Sequence, residues 1–184
     1  MALPTLGYTR TAIALHWLIA LLIFSAFPLG IYMHDLPFSP GRLKLFSYHK
    51  WLGVTVFLLA LARLLWRLKH PAPPPAGMPA WQRVASTATH HLLYLLIIVV
   101  PISGWLMSSA KGFQTVYLGI IPLPDLLTKD KALGDALLLT HQILNFTLGA
   151  LVITHLTAAL KHYFIDRDEV LGRMIPILDG RKPR

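Results

Sequence analysis

The chain has no cysteine. That absence removes disulfides, thiolate zinc sites, iron–sulfur clusters and covalent thioether attachment of haem in one step. With no thiolate to offer, the chain must rely on histidine for any bound metal. Carboxylates are scarce as well: there are eight Asp and Glu in 184 residues, and none lies inside a long apolar run. Charged residues of both signs make up only 14% of the chain, against 55% hydrophobic ones, with a mean hydropathy of +0.57. A chain this apolar belongs in a bilayer rather than in water. Its net charge of +9 would suit a nucleic acid, but the Lys and Arg sit at the ends of apolar runs, where membrane topology places them. Nucleic-acid binding is set aside on that ground.

Four apolar runs are present, at about 13–32, 48–68, 91–107 and 136–160, each near the ~20 residues that cross a hydrocarbon core as helix. The expected fold is all-α, an integral membrane four-helix bundle forming a single domain over residues 1–184. Met1 to Arg10 holds one basic residue, and no small-residue cleavage site follows the first run. That run reads as a retained span rather than a signal peptide. Between the second and third runs, HPAPPPAGMPAW is a stiff, proline-rich connector. Eleven Lys and Arg fall on the side of the two termini and six on the other, so both termini are expected in the cytoplasm. Segments 33–47 and 108–135 then face outward.

Nine histidines remain to be explained. An ionisable group inside a span is expensive and usually functional, and His16, His49, His141 and His155 meet that description. By depth they form two levels. His16 and His155 lie near the cytoplasmic side; His49 and His141 lie near the outer side. His141 and His155 are fourteen residues apart, which returns the helix to within roughly 40° and separates the side chains by about 21 Å. One helix face thus offers two ligands stacked along the membrane normal, each with a partner on another helix. Two haems between paired imidazoles need that arrangement. The alternatives are histidines that hydrogen-bond between helices, and zinc, for which levels ~21 Å apart and spans without carboxylates are ill suited.

The other histidines have humbler readings. His34 and His70 fall in loops and are expected to be solvated, while His90 and His91 rival His16 by depth. His162 follows His155 by seven residues, on nearly the same face about 10 Å closer to the cytoplasm. There it suits a quinone head group, a haem propionate or the lipid interface, with Lys161 and Arg10 as neighbouring charges at the same lip. Gly30, Gly53, Gly104 and Gly149 serve close helix packing as readily as a flat macrocycle. Pro101 frees a backbone carbonyl in the third span.

The segments YTRTAIALHWL, HKWLGVTVFLLALARLLWRLKHP, HHLLYLLIIVVPISGW and THQILNFTLGALVITHLTAALKHYF together resemble the bacterial cytochrome b561 family, over about residues 8 to 175. The resemblance implies two b-type haems held by His16, His49, His141 and His155, in the bacterial inner membrane. It implies electron transfer from a donor at the outer face to ubiquinone. The pattern is most similar to superoxide oxidases, in which superoxide reduces the outer haem. His162 matches the family's quinone-side histidine, although Tyr163 stands where many members have a second histidine. The outer side, Lys50 at the lip of the second span included, carries six basic and four acidic residues, a local excess of +2 that favours an anion. Two other readings stay open: an anchor subunit that links a dehydrogenase or hydrogenase to the quinone pool, and a non-enzymatic haem carrier or redox sensor.

Overall fold

The computed structural model describes residues 7–73 and 77–178. Part of the proline-rich connector (74–76) and three of the basic residues behind the orientation argument (Arg181, Lys182, Arg184) lie outside the described residues. Four long helices dominate: α1 Arg10–His34, α2 Pro40–Lys69, α3 Ala80–Ala110 and α4 Lys131–Lys161. All four are long and apolar enough to cross a membrane. Each runs past the apolar stretch that marks it, because a helix continues beyond the hydrocarbon wherever polar residues with helical propensity follow. The extension is greatest in α3, which begins after Pro79 with AWQRVASTAT.

The starts of three helices are written in single side chains. Thr9, Ser39 and Asp130 accept from the backbone N–H of Ala12, Arg42 and Leu133 at 3.2, 3.2 and 3.0 Å. Each such cap is worth about 1 kcal/mol. Pro40 opens α2, where its missing N–H goes unneeded. His34 and His70 prove to be helix-end residues and not free loop positions. His34 closes α1 and meets Asp35 at 2.9 Å, whereas His70 caps α2 with its ring stacked on Trp66 at 4.2 Å.

α1 packs on α2, α3 on α4, and α2 on α3. The core at their meeting is Ala60, Leu96, Ile97, Val100 and Leu148, bordered by Ile23, Tyr94 and Leu144. Outside it the helices remain apolar: Leu21, Phe24, Leu65, Leu95, Leu139, Phe146 and Ile153 are all exposed. So much outward apolar surface is suited to lipid and not to water.

At the end of the bundle away from the chain termini, the loop end, the α3–α4 connection folds back on the helices. Its hairpin pairs β1 Val116–Tyr117 with β2 Ile121–Pro122 across a turn in which Leu118 and Gly119 have φ of 55° and 74°. Trp51 and Trp105 donate indole N–H groups to the carbonyls of Val116 and Pro124 (2.7 and 3.1 Å), and Lys50 donates to Phe113 (2.9 Å). Ser108 also donates to the Phe113 carbonyl. At the opposite, terminal end, α4 widens into a π-turn, His162–Asp166, and Arg167 reverses the chain with φ 52°. The returning segment reaches α1, where Trp17 donates to the Met174 carbonyl at 2.8 Å.

Candidate functional site

Helix packing brings the four span histidines together two by two. At the loop end His49 of α2 faces His141 of α4, with ring centroids 6.4 Å apart and planes at 89°. Toward the terminal end His16 of α1 faces His155 of α4 at 6.2 Å and 75°. An imidazole nitrogen binds a metal at about 2.0 Å and lies about 1.1 Å from its ring centre, so two imidazoles on opposite sides of one metal would have centroids roughly 6.2 Å apart. Both pairs therefore fit an iron between two axial histidines. Neither pair belongs to a zinc-like cluster: among the described residues the one group of three or more metal-binding side chains with all ligand atoms within 4.8 Å of one another is His162, Asp166 and Asp168.

The loop-end pair is braced from behind. His49 donates through Nδ1 to the Ala26 carbonyl of α1 at 3.1 Å. His141 donates through Nδ1 to the Val100 carbonyl of α3 at 3.1 Å and to Ser103 Oγ at 2.9 Å; the Ser103 hydroxyl itself donates to Val100 at 2.7 Å. These bonds hold the proton on Nδ1 and leave the Nε2 lone pair for a metal. Both braces have the same construction. Four residues after the accepting carbonyl stands a glycine, Gly30 or Gly104, with a proline between. A Cβ at Gly30 would lie 3.0 Å from His49 Cε1, and one at Gly104 would lie 2.9 Å from His141 Cε1. The two glycines are the slots into which the rings fit. No histidine ring sits on the other two: a Cβ at Gly53 would meet no protein atom within 4 Å, and one at Gly149 would face the Phe27 ring at 3.3 Å. The carbonyl that receives His141 is Val100's, and not the Ile97 carbonyl that Pro101 leaves without its helical N–H.

The second pair has different neighbours. Among the described residues neither His16 nor His155 makes a hydrogen bond through its ring; the contacts are aromatic. Trp17 lies edge-on to His16 at 5.3 Å, and His90 edge-on to His155 at 5.2 Å. The latter separation is about 1 Å too short for a metal between two imidazoles, so the geometry favours His16 over His90 as partner. His90 is instead turned to the Ser86 carbonyl at 2.6 Å, and His91 to Thr87 at 2.8 Å. Arg63 completes this level, donating to Tyr94 Oη and to the Ala12 carbonyl, both at 3.0 Å. Counting basic residues for topology treats Arg63 as a helix-end charge. Its position inside the second apolar run was the signal that it does more.

Beyond this level, the π-turn brings two carboxylates onto His162, whose side chain is only 12% exposed. Nδ1 lies 2.6 Å from Asp168 Oδ2 and 3.1 Å from Asp166 Oδ2, and Asp166 also holds Lys161 at 2.6 Å. Arg10, the first residue of α1, is exposed. Asp166 and Asp168 escape a sequence reading because nothing in local periodicity reveals a π-turn.

An apolar four-helix bundle with two histidine pairs at axial-ligand spacing defines a membrane electron-transfer cytochrome. The chain belongs to the prokaryotic cytochrome b561 family, whose model matches residues 7–176, and membership implies b-type haem. It is 34% identical over 172 residues to cytochrome b561 homolog 2 of Escherichia coli (strain K12), covering 91% of this chain and 90% of that one. It is 29% identical over 177 residues to a probable superoxide oxidase, CybB, of Yersinia pestis (92% and 96% covered). It is also 29% identical over 178 residues to cytochrome b562 of Cereibacter sphaeroides (92% and 95% covered).

Proposed function

We propose that the protein carries electrons from superoxide, met at the loop end, to ubiquinone at the terminal end, with one b-type haem at each histidine level. The observation that carries this reading is the pair of matched separations, 6.4 and 6.2 Å, at levels about 21 Å apart along α4. The likeness to a probable superoxide oxidase supports the choice of donor. The balance of basic residues orients the terminal end to the bacterial cytoplasm and the loop end outward.

In this reading His49 and His141 hold the outer haem, and His16 and His155 the inner one. The haems supply reversible one-electron chemistry at potentials tuned by axial ligands and burial. The rest falls to the side chains around them. Lys50, anchored on the Phe113 carbonyl, places positive charge at the outer mouth, where it attracts an anion within a Debye length of about 8 Å. At the other end His162 hydrogen-bonds a quinone carbonyl, while Asp168 and Asp166 at its back open onto the cytoplasm and resupply its proton. Two superoxide anions leave as dioxygen, and one quinone gains two electrons and two cytoplasmic protons to become quinol.

Stopped-flow mixing of the purified protein with superoxide tests the proposal: haem reduction in milliseconds is expected, followed by reoxidation on adding a soluble ubiquinone. A second reading has its own observation. Leu118, Ile120 and Ile121 leave the loop-end hairpin strongly exposed, Ile120 at 80%. An anchor subunit would use such a tip to dock a dehydrogenase or hydrogenase, and a protein inert to superoxide yet reducible by such a partner would establish that reading instead.

A further inference from the structure

α2 carries one basic residue deep enough to matter electrically to a redox centre. Arg63 lies six residues before the end of α2 at Lys69, about 9 Å along the helix axis, so it is not an interfacial anchor. Its guanidinium is folded inward and half-buried. From α2 it bonds α1 at the Ala12 carbonyl and α3 at the Tyr94 hydroxyl, and it lies 5.8 Å from the Tyr94 ring centre. Among the described residues no carboxylate pairs with it: the ion pairs here are those of His34, Lys111, Lys161 and His162. Ala12 lies one helical turn before His16 on α1, so the bond to its carbonyl sets the charge within a turn of that ligand. A guanidinium keeps that charge in a protein interior. Holding an unneutralised cation inside an apolar bundle is costly, which points to a use.

The loop-end level has no counterpart. Its histidines meet two backbone carbonyls and a hydroxyl, and the nearby Lys50 reaches away into the loop at Phe113. We propose that Arg63 is a positioning residue that raises the reduction potential of the terminal-end haem, making electron flow from the loop-end level toward the quinone side more downhill. The physical ground is Coulomb's law. Reduction removes one positive charge from the iron centre, so a fixed cation beside it stabilises the reduced form, and in a low-dielectric interior that stabilisation is large. Tyr94 and the Ala12 carbonyl hold the guanidinium in place without neutralising it.

The inference rests on the two-haem reading, and spectroelectrochemical titration of the purified holoprotein separates the two. The wild type should give two one-electron waves. Arg63→Gln should move one wave to lower potential, well outside titration error, and leave the other in place, with haem content and low-spin spectrum unchanged. Arg63→Lys, which keeps the charge, should restore most of the wild-type position, and Tyr94→Phe, which removes a hydrogen bond but no charge, should leave it nearly unmoved. Two waves that both ignore Arg63→Gln would overturn the assignment. So would a shift in Arg63→Lys as large as in Arg63→Gln, which would reduce Arg63 to a helix staple. Where Arg63→Gln loses haem, Arg63→Lys decides alone: a wild-type potential supports the proposal and a lowered one overturns it. A single wave in the wild type would strike the two-haem reading before any variant is made.

Discussion

The two histidine levels share ligand type and spacing but differ in almost everything around them. At the loop end each ring is locked by an Nδ1 bond to a carbonyl on the neighbouring helix and slotted against a glycine. At the terminal end the rings have aromatic neighbours, a third histidine and an arginine, and no hydrogen bond of their own among the described residues. The first level is built for rigidity in neutral surroundings and the second for charge. A donor that arrives from outside needs a preorganised centre with little reorganisation. A centre that hands electrons to a quinone, where protons must also move, gains from polar groups close by.

The strongest way to break the comparison is to remove a ligand. Replacing His49 or His141 by Ala should remove the loop-end haem alone, halving haem content from two per chain to one, and His16 or His155 should do the same at the other level. Loss of both haems from any single change would mean that the levels are not independent. Next in size is Gly104→Ala. Its Cβ would stand 2.9 Å from His141 Cε1, so the ring must move and the loop-end haem should be lost or become high spin.

Smaller effects sharpen the contrast at the terminal end. His162→Ala should leave haem content and reduction by superoxide intact while slowing reoxidation by a soluble quinone. Asp168→Asn, which removes the carboxylate behind His162 Nδ1, should slow the same step by about tenfold. Unchanged quinone kinetics in both would return His162 to the lipid interface. Smallest of all should be Ser103→Ala. His141 keeps its bond to Val100, so the loss is about 1 kcal/mol or less of local stability, visible as slightly faster haem loss on heating.

Much of this was legible in the residue order. Four apolar runs announce four helices, and the depth of His16, His49, His141 and His155 within them groups the histidines as the structure does, because rise and twist per residue are constants of the helix. What stayed hidden depends on neighbours that helix geometry alone cannot name. That Ala26 and Val100 offer carbonyls, and that Gly30 and Gly104 but not Gly53 take a ring, follows from how α1 meets α2 and α3 meets α4. The full length of α3 is not legible from its apolar run, because its first turns are polar yet still helical. A π-turn, which no periodicity marks, brings Asp168 to His162, and the inward fold of Arg63 depends on the Ala12 carbonyl and Tyr94 of neighbouring helices.

The most direct test of the account is the haem-to-polypeptide ratio. A pyridine haemochrome assay on the purified protein, set against quantitative amino-acid analysis, should give two b-type haems per chain, both low spin in the resting spectrum because each iron has two imidazoles. A ratio of one, or a high-spin resting spectrum, would contradict the two-level assignment at its root.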